Sequence, residues 1–464
     1  MSTAVKRRIA VAMSGGVDSS VAAYLMVQKF KDCPDTSIFG LYMQNWAPQD
    51  ELLEGNRMPR AFCEASERDR QDAERVCKHL GISFHTANFV KEYWTQVFEP
   101  FIDDLSVHNM TPNPDVMCNR EIKFGAMRDY ILREDMPQKA QSIVTGHYAR
   151  LAHCMSDVEN TVLDHVDATS DDQKWLSYSD IIKFEGILKE GIESPHSPML
   201  LAARDIRKDQ SYFLSGTQGQ SLKNVMFPLG DLTKNKTDCP DKADLSVREI
   251  AVLGNLPTAE KHESMGICFI GKRKFPDFVR SYLPPSDTKI RREFIDIDTG
   301  RVMGSHDSGL LLTIGQGAKI GGASKKWFVC KKDSETGSVY VCGGTHHPAL
   351  YVDTFTIPAE NFNWIGGNFE KAIETSHLRA FCRIRHQQPL VECTIQKVNN
   401  EILVSSSSPL RGVAPGQMAS IYIVNGIVCL GGGSIKRSGP TYFDRRKELP
   451  KTLHPAGLND LTTI

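Results

Sequence analysis

The segment MSGGVDSS spans residues 13–20, directly after an apolar run at residues 9–13 and directly before apolar residues that recur at helical spacing. This order predicts a buried strand, a glycine-rich turn and the start of a helix. Such a turn binds anions, because free backbone N–H groups and the positive end of the helix dipole face it. Gly15 and Gly16 let the backbone approach a phosphate closely, and three serines add hydroxyl donors.

Two common phosphate-binding motifs do not fit this segment. No Gly-Lys-Ser/Thr follows at the spacing of a Walker A loop, and the glycine spacing differs from that of a dinucleotide fingerprint. The segment therefore predicts a phosphate site of another kind. The alternative is a strand-to-helix turn that binds nothing.

The chain around this segment alternates strand and helix patterns from residue 6 to about residue 150. Apolar runs predict strands and helical spacing predicts helices, in the order 9–13, 38–43, 73–80 (helix), 82–87, 93–105 (helix), 122–132 (helix) and 142–146. Repeated βα units predict a parallel sheet with helices on both faces and a ligand at the carboxyl ends of the strands. Met43 and Gly146 fall at such ends and suit an adenine ring, although packing alone also explains Met43.

Composition limits the possible classes of protein. A chain of 464 residues exceeds the size of one core, so two or three domains are expected. Lys and Arg number 55 against 56 Asp and Glu, so a polyanionic partner needs local basic patches. No apolar stretch is long enough to span a bilayer, which predicts no membrane partner. The twelve cysteines include no C-x-x-C pair, which predicts a reducing compartment.

The rest of the chain divides by pattern. Residues 154–197 are predicted to be a surface insertion, since residues 155–195 hold ten acidic and three basic side chains. Within a central domain at residues 201–290, residues 204–214 (RDIRKDQSYFL) mix cations, amides and aromatics, which suits phosphate contact and base stacking. Short β-rich runs predict a barrel at 291–438, followed by a polar, mobile tail at 439–464.

One predicted strand carries a possible RNA surface. Residues 378–386 alternate, so that Arg379, Phe381, Arg383 and Arg385 share one face. An exposed strand protected from edge pairing by charge explains the same pattern.

Two cysteines lie in unusual surroundings. Cys118 closes the proline-stiffened segment TPNPDVMCN, just before a helix predicted to start near Glu121, where the helix dipole would lower its thiol pKa. Cys268 lies in SMGICFIG between two glycines, beside Lys261 and two further cations that favour the thiolate. For any single cysteine the alternative is a buried apolar residue.

Taken together, the motifs resemble those of the tRNA-specific 2-thiouridylases, and several segments look more like the mitochondrial branch of that family. The similarity runs in order from residue 12 to about residue 435, through SGGVDSS, TPNPDVMCN, EIKFG, TGHYAR, KDQSYFL, SMGICFIGKR, PGQ and CLGGG. It implies an α/β PP-loop domain (adenine nucleotide alpha hydrolase-like) with a parallel sheet, a small mixed central domain and a C-terminal β-barrel. It also implies replacement of the 2-oxygen of the wobble uridine by sulfur.

The resemblance assigns roles to individual residues. The ATP-binding residues that it implies are Ala12, Met13, Ser14, Gly15, Gly16, Val17, Asp18, Ser19, Met43 and Gly146. The tRNA-binding residues that it implies are Asn113, Pro114, Asp115, His147, Lys208, Asp209, Gln210, Arg385, His386 and Gln417. Cys268 would receive a persulfide, Cys118 would be its disulfide partner, and Asp115 would act as acid or base.

The resemblance further implies ATP and Mg²⁺ as cofactors, tRNA as substrate, a sulfur-donor protein (a cysteine desulfurase or sulfur relay) and a mitochondrial location, with the cytoplasm as alternative. The family usually has the sequence Gly-Gln-Arg where this chain has Gly315, Gln316 and Gly317. This chain therefore lacks the arginine, and any tRNA contact that the arginine would make. Other adenylating PP-loop enzymes, or an RNA-binding protein with a degenerate nucleotide site, are the alternatives. The sequence gives no oligomeric state.

Overall fold

A computed structural model describes residues 7–46, 60–133, 139–153, 157–158, 197–238, 244–262, 275–280, 282–283, 292–306, 309–322, 325–367 and 369–453. Cys268 with its loop, nearly all of the acidic insertion and the last eleven residues lie outside these ranges.

The strands are, in chain order, β1 Arg7–Met13, β2 Thr36–Gln44, β3 Ser83–Asn88, β4 Ser142–Val144, β5 Arg150–Ala152, β6 Met199–Leu201, β7 Val225–Met226, β8 Arg292–Asp296, β9 Val302–His306, β10 Gly317–Ala318, β11 Trp327–Lys332, β12 Val339–Gly343, β13 Tyr351–Pro358, β14 Asn363–Trp364, β15 Leu378–Arg383, β16 Val391–Val398, β17 Glu401–Arg411, β18 Met418–Ile423, β19 Val428–Ser434 and β20 Arg437–Ser438.

The α-helices are α1 Val17–Lys29, α2 Arg60–Leu80, α3 Val90–Tyr93, α4 Glu99–Ser106, α5 Pro114–Met117, α6 Met127–Leu132, α7 Ser211–Leu214, α8 Val247–Leu253, α9 Phe275–Arg280 and α10 Glu370–Thr375. Two π-helical segments, Trp94–Phe98 and Cys118–Ala126, join α3 to α4 and α5 to α6. Each joined pair therefore runs as one continuous helix. Among the described helices, none is long and apolar enough to cross a membrane.

The N-terminal sheet is parallel and has the strand order β3-β2-β1-β4-β7. Its central strand β1 pairs with β2 from Arg7↔Thr36 to Met13↔Tyr42 and with β4 on its other side. Because all five strands are parallel, their carboxyl ends share one edge, and the turn after Met13 lies there.

Both faces of this sheet are covered, which explains the continuous apolar run in β1. Ile9 and Val11 pack in a cluster with buried residues of α1, α2 and α8. Ala10 packs in a second cluster with the two continuous helices at residues 90–106 and 114–132. Successive side chains of β1 thus pack against the helices on opposite faces of the sheet.

The β-rich part of the chain forms two sheets instead of the single barrel predicted for residues 291–438. The first has the order β10-β11-β12-β8-β9 and a small core around Trp327 and Val341. The second contains ten strands, in the order β20-β13-β17-β16-β15-β18-β19-β6-β5, with β14 paired to β19. This larger sheet has its own core, which includes Phe355, Ile395 and Ile421.

Two short strands connect the N-terminal region to the larger sheet. β5 and β6, on either side of the acidic insertion, pair with each other, and β6 pairs with β19. Each contains only three residues, which is too few for a recognisable strand pattern. The chain therefore passes from the parallel sheet directly onto the C-terminal sheet.

The predicted mobile tail is ordered through residue 453. The Tyr442 amide donates to the Tyr351 carbonyl at 3.0 Å, and Arg445 donates to Asp353 at 2.8 Å. Tyr442 and Leu449 pack against an apolar cluster that includes Phe328. The prediction of mobility is wrong for these residues, because aromatic and aliphatic side chains among the polar ones provide enough apolar contact to dock them.

Candidate active site

The turn after β1 is built to hold an anion. Gly16 caps α1 without a side-chain hydrogen bond, so the first-turn N–H groups have no capping side chain. Ser14 and Ser19 place their hydroxyl oxygens 3.1 Å apart. Gly15 has φ of +73°, and a Cβ there would lie 2.1 Å from the carbonyl oxygen of Asp69 in α2. Glycine is therefore required at position 15 by both conformation and space.

Asp18 connects this turn to two other segments of the chain. Its Oδ1 accepts hydrogen bonds from the Tyr148 hydroxyl at 2.7 Å and from Lys234 Nζ at 2.5 Å. Lys234 is almost completely buried, with 1% of its side chain exposed. This buried ammonium offsets the negative charge of Asp18, which would otherwise repel a phosphate in the turn.

Gly146 follows β4 and packs directly on the start of α1. A Cβ at position 146 would lie 2.7 Å from the backbone nitrogen of Ser19. Met43, near the end of β2, packs with Ala12 in the same apolar cluster as Cys118. The structure therefore brings the predicted ATP-binding residues of three strand ends to one edge of the sheet.

The Lys261 side chain contacts the phosphate-binding turn and is partly buried. Its Nζ donates to the Gly15 carbonyl at 2.9 Å, to Asp69 at 2.7 Å and to Asp72 at 2.5 Å. That its charge favours a Cys268 thiolate stays a prediction, because Cys268 lies outside the described residues; within them, this charge is paired with two carboxylates. Lys261 ties the segment before the Cys268 loop to the phosphate-binding turn.

Cys118 lies inside a helix, not in the loop before one. The helix begins at Pro114, because Asn113 accepts hydrogen bonds from the amides of Asp115 and Val116 and proline suits the first helical turn. Cys118 is therefore the fifth helical residue and is 1% exposed. The predicted helix start near Glu121 is wrong, because Asn113 caps the helix and Pro114 occupies its first position.

His147 lies at the strand end beside Gly146 and contacts the Cys118 helix. Its Nδ1 lies 2.7 Å from the Thr145 hydroxyl and its Nε2 lies 3.5 Å from Lys123 Nζ. Burial, with the nearby Lys123 charge, lowers the pKa of His147 well below its usual range. The imidazole is therefore neutral and positions Lys123, and a direct contact with tRNA stays a prediction.

A buried tyrosine joins the Cys118 helix to the C-terminal sheet. The Tyr212 hydroxyl donates to the Met418 carbonyl at 3.0 Å, and Tyr212 packs in one apolar cluster with Val116 and Met418. The Asn119 amide donates to the Phe213 carbonyl at 3.3 Å. These contacts hold the segment 116–119 against the segment 212–213.

The segment KDQSYF is fixed by its own side chains. Gln210 accepts the Tyr148 amide at 3.0 Å and donates its own amide to the Tyr148 carbonyl at 2.8 Å. Asp209 is 2% exposed and accepts from the amides of Ala203 and Ser211. Lys208 next to it remains partly exposed. Asp209 therefore shapes this segment, while its predicted contact with tRNA stays untested.

The arginine face of the strand at 378–386 is mostly turned inward. β15 ends at Arg383, which is buried and forms a 3.2 Å ion pair with Asp209. Arg385 donates to the carbonyls of Ile314 and Gly412, both at 2.8 Å, and burial lowers its pKa to about 10. Arg379 alone of the three is exposed. The predicted three-arginine RNA surface is therefore wrong.

The remaining predicted tRNA-binding residues are His386 and Gln417. His386 Nε2 lies 3.1 Å from the Asp209 carbonyl, its ring packs 4.4 Å from that of Phe213, and burial lowers its pKa. Gln417 follows Pro415, whose carbonyl accepts the Thr111 amide at 2.8 Å. The PGQ motif therefore packs directly on the loop that leads to Asn113.

Three residues that sequence reasoning missed hold the site together: Tyr148, Tyr212 and Lys234. Tyr148 and Tyr212 occur within recognised motifs, but the motifs do not show which residues these tyrosines contact. Lys234 is 216 positions from Asp18, and nothing in the sequence indicates their ion pair.

Comparison with known proteins agrees with this architecture. The family model described as tRNA methyl transferase HUP domain matches residues 7–183 and 186–272. The tRNA methyl transferase PRC-barrel domain matches residues 276–343, and the aminomethyltransferase beta-barrel domain matches residues 354–435. Fold and site thus define a HUP-domain enzyme followed by two barrel domains, which confirms the predicted fold class.

Individual relatives narrow this class. The Danio rerio protein named mitochondrial tRNA-specific 2-thiouridylase 1 is 36% identical over 97% of this chain and 96% of its own length. The Homo sapiens protein of the same name is 35% identical over 95% of this chain and 93% of its own. The Chlamydia abortus tRNA-specific 2-thiouridylase MnmA is 35% identical, with coverages of 93% and 98%.

The chain therefore belongs to the family of tRNA-specific 2-thiouridylases. This confirms the resemblance and the class of enzyme that it implied. Membership in a HUP family also implies the use of ATP.

Proposed function

We propose that this enzyme replaces the 2-oxygen of the wobble uridine of tRNA by sulfur in an ATP-dependent reaction. One observation carries the proposal: a continuous set of contacts joins the phosphate-binding turn to the cysteine helix. Asp18 binds Tyr148, Tyr148 binds Gln210, and two residues later Tyr212 packs against Val116 in the helix that holds Cys118. Activation by a nucleotide and chemistry at a thiol therefore share one framework.

ATP would bind across the strand ends. The residues of the turn from Ala12 to Ser19 would hold its phosphates, and Met43 and Gly146 would adjoin its adenine, as the sequence predicts. A uracil 2-oxygen leaves poorly as oxide, whereas its adenylate leaves as AMP. In this first step the oxygen attacks the α-phosphorus of ATP, and pyrophosphate departs into the turn. The N–H groups there would stabilise the charge that develops, while Lys234 offsets the negative charge of Asp18.

Mg²⁺ is expected with ATP, yet the described residues offer little to hold it. No cluster of three or more ligating side chains exists among them, and the Asp18 carboxylate is already engaged by Lys234 and Tyr148. A nucleotide-bound Mg²⁺ needs only one or two protein carboxylates. Both of these contacts are made to Asp18 Oδ1, so Oδ2 is the oxygen that could face a metal, and no step of the proposal depends on the metal.

The sulfur steps use two cysteines. Cys268 would carry a persulfide delivered by a sulfur-donor protein, and its terminal sulfur would attack uracil C2 and expel AMP. The Cys118 thiolate would then attack the Cys268 sulfur, break the S–S bond and leave the thiolated base. A dithiol reductant must supply two electrons to reduce the resulting Cys118–Cys268 disulfide.

Contacts with the substrate complete the proposal. Asn113, Pro114 and Asp115 would meet the target base, with Asp115 as acid or base, after the base leaves the anticodon stack. His147, Lys208, Asp209, Gln210, Arg385, His386 and Gln417 would contact tRNA or position the groups that do. The named relatives include mitochondrial and bacterial proteins, and we propose a mitochondrial location, with the cytoplasm as the alternative.

The test is mass spectrometry of nucleosides from unmodified tRNA incubated with ATP, Mg²⁺ and a persulfide source. Wild type is compared with Cys118→Ser, Cys268→Ser and the control Cys393→Ser, whose cysteine is buried like Cys118 but lies in the C-terminal sheet. A sulfur-for-oxygen mass shift in wild type and control, lost in the two site variants, supports the proposal.

A different outcome would favour another adenylating PP-loop enzyme. Release of AMP without any sulfur incorporation would retain the nucleotide site and reject the sulfur chemistry. Full turnover by Cys118→Ser would reject the role given to Cys118.

A further inference from the structure

A cavity of about 450 Å³ lies beside the site, between the smaller β-sheet, the loop at residues 108–111 and the C-terminal tail. A second cavity of about 100 Å³ adjoins it. Lys332, Asn109 and Ser334 line both cavities. Lys332 therefore forms part of the wall between two water-accessible spaces.

The ammonium of Lys332 has no carboxylate within ion-pair distance among the described residues. Its Nζ lies 3.5 Å from the carbonyl oxygens of Asn109 and Leu310. Burial lowers its pKa to about 8. Two distant carbonyls compensate poorly for the water that a partly buried ammonium loses, so this site favours an added anion.

The other charges around the two cavities are mostly occupied elsewhere. Lys436 pairs with Glu401 at 2.9 Å, and Asp444 accepts the amide and hydroxyl of Thr441. The remaining charged or titratable groups on the walls are His108, Cys330, Lys331, Arg292 and Asp333. Cations therefore outnumber carboxylates around Lys332, which attracts a polyanion.

The location of the cavity indicates which anion it takes. Thr111 in its wall donates its amide to Pro415, and two residues later Asn113 caps the helix that holds Asp115 and Cys118. A group bound here would lie at the base of the loop that presents the proposed base-binding residues. A tRNA whose wobble base reaches that loop carries backbone phosphates on both sides of the base.

We propose that the cavity around Lys332 binds a backbone phosphate of the tRNA substrate. This inference rests on the proposed function and extends it by assigning a phosphate contact to a residue outside every motif of the family resemblance. A free phosphate ion offers the same chemistry, and the experiment distinguishes the two.

The experiment measures binding of fluorescently labelled, unmodified tRNA by anisotropy at a series of salt concentrations. Lys332→Met is compared with Lys332→Arg, which keeps the charge, and with Lys371→Met, which removes an exposed lysine on α10. One lost phosphate contact reduces the slope of log affinity against log salt by about 0.7–0.9 and weakens binding about fivefold to tenfold at about 0.1 M salt. We expect this change only in Lys332→Met.

A pH series tests the same contact through its charge. Free Lys332 loses its proton as pH rises through about 8 and must regain it to pair with a phosphate, so the affinity of wild type for tRNA falls toward that of Lys332→Met between pH 7 and 9. Lys332→Arg keeps its charge over this range and does not show this fall. Equal pH dependence of the affinity in wild type and Lys332→Arg contradicts the proposal even if Lys332→Met does not fold.

Two further outcomes overturn it. Equal salt slopes for wild type and Lys332→Met, with thiolated tRNA still formed, reject the contact and leave the proposed function intact. If inorganic phosphate raises the melting temperature of wild type but not of Lys332→Met, while the slopes agree, the cavity binds free phosphate and not tRNA. Failure of the proposed function appears separately, as absence of 2-thiouridine in wild type.

Discussion

The buried ion pair between Asp209 and Arg383 gives the sharpest stability prediction. The two side chains are 2% and 7% exposed, and their charged atoms lie 3.2 Å apart. Asp209 also accepts the Ser211 hydroxyl at 2.7 Å. Asp209→Asn preserves the shape of the side chain, but it leaves the buried guanidinium of Arg383 without its counter-charge.

Removal of one partner of a buried ion pair costs about 3–5 kcal/mol, because the remaining charge stays desolvated. The matched control is Glu74→Gln, which breaks an ion pair with Arg70 on α2 in which both side chains are at least one-third exposed. An exposed pair contributes about 0–1 kcal/mol. The two substitutions each remove one carboxylate, so the difference between their losses of stability measures the effect of burial.

Hydrogen exchange measures this difference locally, without requiring the whole chain to unfold in one step. We expect amides in β15 and in residues 209–214 to exchange about 10²- to 10⁴-fold faster in Asp209→Asn, since 1.4 kcal/mol corresponds to a factor of ten. Arg383→Met in the same chain should recover part of the loss, because the unpaired charge is gone. A loss below about 1 kcal/mol, equal to that of the exposed pair, would refute the reasoning.

Three other predictions test the site. Gly15→Ala should abolish AMP formation, because the added Cβ would collide with the Asp69 carbonyl. In the control Gly16→Ala the added Cβ makes only a 3.4 Å contact with Ser14, so most of the AMP formation should remain. Equal rates of AMP formation in both variants would contradict the argument. Burial keeps the pKa of His147 well below its value in the unfolded chain, so the folded chain should lose stability as pH drops below about 6.5. His147→Gln should lose less stability over the same range, and thermal unfolding at pH 5 and pH 7 measures the difference. Gly317→Arg has open space around it and should strengthen tRNA binding with a steeper salt dependence; an unchanged affinity would exclude a contact there.

The parallel sheet and its phosphate-binding turn were predictable from the sequence because their signals are local. The apolar run before Ser14, the paired glycines and the helical spacing after them occupy adjacent positions and correspond to β1, the turn and α1. The start of the Cys118 helix was predicted several residues late, although Asn113 followed by proline is itself a local N-cap signal.

The contacts that make a site from these elements were decided by the tertiary structure. Arg383 and Arg385 alternate with apolar residues in the sequence, yet carbonyls and Asp209 from distant segments draw both inward. An alternating pattern shows which residues share a face, but it does not show what covers that face.

The sequence by itself determined that this chain has a nucleotide-binding turn at the end of a parallel strand and a pair of cysteines in family motifs. Only the folded chain decided that Lys234 and Tyr148 meet at Asp18, that Tyr212 packs with Val116, and that Lys332 borders a cavity. The physical reason is range: backbone conformation and helix spacing depend on neighbours in the chain, whereas buried charges are paired by residues up to 216 positions away.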